Sequence, residues 1–159
     1  MPIGYVPGVL IEARPSTDPE LAALVAAQQR ELRDRELAQG TTVCVYPMRD
    51  DARYLVVVVD GRAVACGAVQ ALDAGTAELK RMYVRPAYRG RGIARQLLTA
   101  LEEMALADGH AVLRLETGDY LYAAIALYTA TGYAPIPAYG EYVGNSYSVC
   151  FEKHLPILA

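Results

Sequence analysis

Apolar and polar positions in the first third of the chain predict a strand and then a long helix. Residues 8–15 (GVLIEARP) are typical of a short strand that a proline ends. Asp18 directly before Pro19 is a typical helix start, and Gly40 is a typical helix stop. The pattern therefore predicts a long first helix between them, and the following residues 41–51 indicate no definite element.

The middle of the chain is dominated by β-rich runs. Residues 53–72 (RYLVVVVDGRAVACGAVQAL) contain two such runs joined by Asp60-Gly61, which is a strong hairpin signal. After a turn, residues 77–85 (AELKRMYVR) extend the sheet as a third run. We therefore expect at least three strands in succession here.

From Gly92 onward, apolar residues recur at helical spacing. Ile93, Leu97 and Leu101 fall on one face of a predicted helix that Gly109 ends. The remaining pattern predicts a strand at 111–118, a helix at 121–132 and a final strand at 146–155. This order predicts the α/β class with a mixed sheet.

Composition narrows the kind of protein. The 159 residues suit one domain spanning residues 1–159. Hydrophobic residues make up 53% of the chain and charged residues 21%, which indicates a globular fold rather than disorder. The formal net charge of -3 argues against general affinity for nucleic acid or an acidic membrane.

The cysteines and the hydropathy pattern indicate a soluble cytoplasmic protein. Cys44, Cys66 and Cys150 are odd in number and widely separated, so they predict neither a disulfide framework nor a zinc site. The longest apolar run, YLVVVV, is too short to span a bilayer. The N-terminus also lacks the basic segment of a signal peptide.

A locally basic stretch carries the candidate chemistry. No acidic residue occurs between Glu78 and Glu102, and the stretch lies where a strand ends and a helix begins. The first amides of that helix and its dipole would attract an anion, and Gly90 and Gly92 would let a phosphate approach. A polyphosphate ligand is one interpretation, and a solvated basic helix start is the other. The basic residues are Lys80, Arg81, Arg85, Arg89, Arg91 and Arg95.

Two phosphate-binding motifs fit poorly. A P-loop needs a lysine after its glycines, and none follows here. A dinucleotide-binding fingerprint needs a third glycine where Arg95 stands. A dinucleotide-dependent oxidoreductase therefore stays open as the weaker alternative.

The segment RGRGIA (Arg89 to Ala94) resembles the Gln/Arg-x-x-Gly-x-Gly/Ala signature of the GNAT superfamily of acyl-CoA N-acetyltransferases. The resemblance covers roughly residues 77–155, and residues 115–118 and 124–153 are similar to a small bacterial subgroup of mostly unassigned substrate. It implies a single domain with a mixed, mostly antiparallel central sheet flanked by about four helices. It also implies acetyl-CoA as cosubstrate.

The resemblance assigns roles to individual residues. Tyr128 would donate a proton to the departing CoA sulfur, and Glu78 would act as base, as a glutamate there does in some members. The alternative for Glu78 is a sheet-edge carboxylate paired with Lys80 or Arg114, and Tyr128 could be a core aromatic. The pantetheine arm would pair with Met82, Tyr83 and Val84, and the pyrophosphate would bind at Arg89, Gly90, Arg91, Gly92, Ile93, Ala94 and Arg95.

The acceptor site is predicted least sharply. Residues 136–147 (IPAYGEYVGNSY) are rich in Gly, Pro and Tyr, and in this fold they would lie beside the acceptor. We expect direct transfer in a ternary complex, because Cys150 has no activating base nearby in sequence. The expected acceptor is a primary amine of a small molecule, because the sequence indicates no extended acidic groove, and a protein N-terminus or lysine stays open. A non-catalytic acyl-CoA-binding regulatory module and a homodimer both stay open.

Overall fold

The computed structural model describes residues 8–40 and 48–156. Cys44 and most of the unassigned segment 41–51 lie outside the described residues. Along the described chain the strands are β1 (Val9–Arg14), β2 (Arg53–Val59), β3 (Arg62–Asp73), β4 (Thr76–Val84), β5 (Val112–Gly118), β6 (Ala134–Ile136) and β7 (Ser148–His154), and the α-helices are α1 (Pro19–Ala38), α2 (Ile93–Ala107) and α3 (Tyr122–Ala130).

The strands form a mixed sheet in the order β1-β2-β3-β4-β5-β7-β6. Strands β1 and β2, β2 and β3, β5 and β7, and β6 and β7 pair antiparallel, whereas β4 pairs with β5 in parallel. The predicted mostly antiparallel α/β fold is therefore confirmed. Within the described residues there are three α-helices and two single 3-10 turns, Pro86–Tyr88 and Gly140–Tyr142, where about four helices were expected.

Residues of the described chain group into two compact units. The first is drawn from Met1–Gln70 and Lys80–Leu101, and the second from Ala71–Leu79 and Glu102–Ala159. The expectation of one domain over residues 1–159 stays a prediction.

In the first unit, helix α1 begins where the sequence predicted. The Asp18 carboxylate accepts a hydrogen bond from the Leu21 amide at 2.9 Å, which satisfies one of the unpaired donors of the first turn. Leu21 and Leu24 are fully buried and belong to a core cluster with residues of β2 and β3, including Val56 and Cys66. This apolar face therefore packs α1 against β2 and β3, the two strands of the hairpin.

The hairpin between β2 and β3 has the turn that its sequence favours. Asp60 and Gly61 have φ angles of 49° and 81°, the left-handed values that a tight two-residue turn needs. The register shifts between Val57 and Val58 and leaves Val64 without an opposite residue on β2. The Val64 carbonyl instead accepts the Arg85 amide at 2.9 Å, so this irregularity anchors the chain just beyond the end of β4.

Close packing in the first unit depends on Gly67 of β3. A Cβ atom there would lie 2.5 Å from Leu101 Cδ1 and 2.9 Å from Met82 Sδ, so a larger residue would force its neighbours apart. Leu97 and Leu101 are fully buried on the apolar face predicted for α2. Glycine at this position lets α2 lie close to the strands.

The second unit is built on the pairing of β5 with β7. The register runs from Val112 opposite His154 to Gly118 opposite Ser148, and β6 adds three residues on the other edge of β7. Helix α3 ends before Gly132, whose φ of 98° lets the Tyr133 amide bond back to the Tyr128 carbonyl at 3.0 Å.

Among the helices of the described residues, none is both long and apolar enough to cross a membrane.

Candidate functional site

In the first unit, the predicted anion-binding loop joins β4 to α2. Gly90 and Gly92 both have a φ of 77°, a left-handed conformation that side chains disfavour. The first α-helical bond of α2 runs from the Gln96 amide to the Gly92 carbonyl at 3.1 Å. The amides of residues 93–95 therefore precede the first helical donor, and they lie at the positive end of the helix dipole.

The four arginines of this region differ in their surroundings. Arg91 is exposed, and its guanidinium carbon lies 5.2 Å from the centroid of the Tyr88 ring. Arg95 is exposed in the first turn of α2. Arg85 is half-buried at the end of β4, while Arg89 contacts other residues of the protein. Arg91 and Arg95 thus offer charge near the helix start.

Arg89 binds back to the protein on three sides. Its Nη2 atom lies 2.9 Å from Glu31 Oε2 of α1, and its Nε atom donates to the Val84 carbonyl at 2.9 Å. The guanidinium carbon also lies 5.5 Å from the centroid of the Tyr83 ring. The first residue of the signature segment is therefore tied to the end of β4 and to α1.

The C-terminal part of β4 departs from regular strand geometry. Arg81 has a φ of 61°, which interrupts the extended backbone. The Cys66 thiol donates to the Arg81 carbonyl at 3.3 Å, and Gln28 Nε2 donates to the Met82 carbonyl at 2.9 Å. Burial raises the pKa of Cys66 to about 12, so the thiol keeps the proton that it donates.

Side-chain donors therefore hold the segment predicted to pair with the pantetheine arm. The carbonyls of Met82 and Val84 each accept one such bond, and each has a second lone pair for another donor. The pairing of β4 with β5 covers only Thr76–Glu78, so the predicted segment lies beyond that register.

In the second unit, Glu78 is buried and held by a tyrosine. Its side chain is 3% exposed, and the Tyr139 hydroxyl donates to Glu78 Oε2 at 2.6 Å. Burial and then the Glu78 contact raise the pKa of Tyr139, so that hydroxyl stays protonated as the donor. The Tyr139 ring is fixed in turn by Tyr142, whose centroid lies 5.4 Å away, and by the Arg114 guanidinium at 5.6 Å.

Arg114 has its own carboxylate partner. Its Nε atom lies 2.8 Å from Glu152 Oε2, and that contact lowers the pKa of Glu152. Arg114 also stands opposite Glu78 in the parallel register of β4 and β5. Three groups therefore lie together where β4 pairs with β5: the buried Glu78 carboxylate, the Tyr139 hydroxyl, and the Arg114 guanidinium with its partner Glu152.

Tyr128 of α3 is buried in the second unit. Burial raises the pKa of its hydroxyl, which therefore stays protonated at neutral pH. The ring meets Tyr133 edge to face at 5.6 Å between centroids. Tyr133 donates to Glu102 at 2.7 Å, so Tyr128 packs against an anchored side chain.

Cys150 lies on β7 of the same unit. The side chain is buried, and burial raises the pKa of its thiol. A raised thiol pKa lowers the fraction of thiolate, which is the form that attacks carbon. The strand environment therefore disfavours Cys150 as an acyl-carrying nucleophile.

The sequence missed three contributors to this geometry. Gln28 and Glu31 lie in a polar part of α1 that is typical of a solvated helix surface, and no local signal connects them to β4. Tyr139 falls inside the segment 136–147 that was singled out, but nothing in its spacing indicates Glu78 as its partner.

Comparison with known proteins gives consistent matches. The sequence matches the family described as Acetyltransferase (GNAT) family over residues 19–133. It is 42% identical to the IAA acetyltransferase of Azospirillum brasilense over 109 residues. This matched region covers 67% of this chain and 71% of that protein.

Solved structures also match the fold. A candidate acyl-CoA N-acyltransferase from Klebsiella pneumoniae has a TM-score of 0.80 at 36% identity, covering 92% of this chain and 97% of that chain. A GNAT family acetyltransferase from Elizabethkingia anophelis, crystallised with acetyl-CoA bound, has a TM-score of 0.71 at 16% identity, covering 94% and 100%. At 16% identity, the match to the Elizabethkingia anophelis protein shows a shared fold only.

Proposed function

The chain belongs to the GNAT family of acetyltransferases, and from this membership we propose that it transfers the acetyl group of acetyl-CoA to a primary amine. The acceptor is a small molecule of the cytoplasm, and transfer is direct, in a ternary complex of enzyme, acetyl-CoA and amine.

The observation that carries the proposal is the loop between β4 and α2. Positive φ angles at Gly90 and Gly92 lead into the start of α2, where three amides precede the first helical donor. Such a start binds phosphate through backbone N–H groups and the helix dipole. In the proposed complex these amides hold the CoA pyrophosphate, and exposed Arg91 and Arg95 add positive charge.

The pantetheine arm would lie along Met82, Tyr83 and Val84. Amide groups of the arm can use the second lone pairs of the Met82 and Val84 carbonyls, because a carbonyl oxygen accepts two hydrogen bonds. This arrangement supports the proposed position of the thioester next to β4.

The chemistry needs a neutral amine and a protonated leaving group. An alkylamine with a pKa near ~10.4 is mostly protonated at neutral pH, so a base must take its proton before nitrogen attacks the thioester carbon. Glu78 is proposed to accept that proton, with Tyr139 fixing its carboxylate. As nitrogen bonds to the thioester carbon and the C–S bond breaks, Tyr128 is proposed to give its proton to the sulfur, so CoA leaves as the thiol. The second proton, which the nitrogen loses as it becomes an amide, restores the Tyr128 hydroxyl.

Direct transfer is supported by the two cysteines that lie within the described residues. Burial raises the pKa values of Cys66 and Cys150, so neither thiol favours the thiolate that an acetyl-enzyme would need. Incubation with acetyl-CoA alone should leave the protein mass unchanged, and Cys150→Ala should keep its activity. An added acetyl group on Cys150 would contradict direct transfer.

Ligand-dependent thermal unfolding tests the donor. Acetyl-CoA and CoA should raise the unfolding temperature in a concentration-dependent way, because a ligand that binds only the folded state stabilises it by mass action. NAD and NADP should not. Stabilisation by NAD(P) without stabilisation by CoA would contradict the proposal and favour the dinucleotide alternative.

Turnover across a panel of small primary amines tests the reaction. With the best amine, Glu78→Gln should lower kcat/KM by about 100-fold, since a positioned base typically contributes that much. Tyr139→Phe keeps the ring and removes only the hydroxyl, so it should lower the rate less. Firm CoA binding without transfer to any amine would favour the non-catalytic binding module.

A further inference from the structure

The Arg89 side chain uses two of its five N–H donors within the protein. Glu31 Oε2 and the Val84 carbonyl each lie 2.9 Å from a guanidinium nitrogen, and Tyr83 lies against the guanidinium face. A guanidinium has five N–H donors in a fixed plane. Two contacts at different edges, with a ring on one face, therefore fix both its position and its orientation.

Glu31 is the carboxylate that receives Arg89. Its other oxygen accepts from Arg35 at 3.0 Å one turn further along α1. The Tyr83 hydroxyl also helps to lower the pKa of the Glu31 carboxylate. The bond from Arg89 is the largest cause that lowers the pKa of Glu31, so the carboxylate is ionised at neutral pH. Its side chain is only 24% exposed, which limits screening by solvent.

We propose that Glu31 and Arg89 form a brace, the Glu31–Arg89 brace, which positions the loop for the phosphate groups of acetyl-CoA. Arg89 is thus a positioning residue rather than a phosphate ligand. The brace ties residue 89, directly before Gly90, to both α1 and the end of β4. It thereby fixes the direction in which the following amides point. The inference rests on the proposed binding of pyrophosphate by those amides.

The alternative role for Arg89 makes the opposite prediction. If Arg89 contacted phosphate directly, Glu31 would compete for it, and removing the Glu31 charge would leave CoA affinity equal or improved. If the brace positions the loop, removing that charge weakens CoA binding, because the loop must be ordered when the ligand binds.

A double-mutant cycle on the dissociation constant for CoA, measured by titration calorimetry, separates the two roles. The variants are Glu31→Gln, Arg89→Met and the two combined. Each single variant should weaken CoA binding about three- to tenfold, and the double variant should be no weaker than the weaker single one. Unchanged or tighter binding by Glu31→Gln overturns the brace, as does full additivity.

Asp34→Asn is the matched control. It removes one negative charge from an exposed position of α1, as Glu31→Gln does from the brace, and it should leave CoA affinity unchanged. An equal loss in Asp34→Asn would mean that the overall charge of α1 is responsible, which overturns the brace.

Kinetics distinguish positioning from general damage to the fold. Glu31→Gln should raise KM for acetyl-CoA and leave kcat and KM for the amine unchanged. With S-acetylpantetheine, which has no pyrophosphate, Glu31→Gln and the wild type should have equal kcat/KM. Equal losses with both donors overturn the brace.

Gly92→Val tests the underlying assignment separately. A β-branched residue disfavours the φ of 77° at this position, so the variant should distort the loop and weaken CoA binding whatever Arg89 does. If Gly92→Val binds CoA normally, the proposed loop site fails, and the brace fails with it. If Gly92→Val weakens CoA binding and Glu31→Gln does not, the brace alone fails.

Discussion

The hydroxyl of Tyr128 is a single group whose removal tests the proposed acid. Tyr128→Phe keeps the buried ring and its contact with Tyr133, so the unfolding temperature and CoA affinity should stay the same. The rate of acetyl transfer should fall by about 10- to 100-fold. The loss is at the modest end for an acid, because the departing thiolate is only mildly basic and can leave slowly without a proton. An unchanged kcat would assign Tyr128 to the core alone.

Cys66 offers a second test at the residue scale. Its pKa of about 12 leaves almost no thiolate at moderately alkaline pH, whereas an unperturbed cysteine with a pKa of about 8.5 is half ionised there. Iodoacetamide should therefore not modify Cys66 in the folded protein near pH ~8.5 and should modify it fully in denaturant. Mass spectrometry of the Cys66 peptide reads the result, and rapid labelling of the folded protein would contradict the geometry.

Helix α1 shows how one capping residue serves an entire element. Asp18 accepts the Leu21 amide at 2.9 Å and also lies 2.9 Å from Arg14 Nη1. Asp18→Ala removes both and should lower the free energy of unfolding by about 1 kcal/mol. Asp18→Asn keeps a good capping side chain and should cost less than half of that. If Asp18→Ala and Asp18→Asn lower the free energy of unfolding in urea equally, the negative charge of Asp18, rather than its capping hydrogen bond, stabilises the helix.

Elements with strong local signals could be predicted from the sequence. Capping at Asp18, the Asp60-Gly61 turn and the glycine that precedes α2 act over a few residues, and the structure confirms all three. The three-residue strand β6 carries too short a pattern and exists through its pairing with β7. The left-handed Arg81 also has no local signal, and the contact seen there, from the Cys66 thiol of β3 to its carbonyl, joins positions distant in sequence.

At the scale of the whole molecule, the candidate site also has a part that the local sequence predicts and a part that it does not. The loop is contiguous in the chain, so the spacing of its glycines revealed it. The partners of its side chains are distant, since Glu31 and Arg89 are 58 positions apart and Glu78 and Tyr139 are 61 apart. Such pairs are set by how strands and helices pack, and hydrophobic periodicity does not specify which polar side chains meet.

Several carboxylates across the molecule make stability depend on pH. The pKa of Asp18 is lowered mainly by the Leu21 amide, that of Glu31 by Arg89 and that of Glu152 by Arg114. A carboxyl whose folded pKa lies below its unfolded value stabilises the fold above the unfolded pKa. That contribution is lost as the pH falls through the folded pKa. The three contributions are therefore present at neutral pH and disappear under acid conditions.

The expected result is a free energy of unfolding that changes little from about pH 7 to about pH 5 and falls steeply below about pH 4. Urea unfolding at a series of pH values measures it. Asp18→Asn removes one of the titrating groups while keeping a capping side chain, so its stability should fall less steeply over the acid range. A wild-type stability that stays level down to about pH 3 would mean that these carboxylates keep ordinary pKa values in the folded protein. The ion pair of the Glu31–Arg89 brace would then be weaker in solution than its 2.9 Å separation implies.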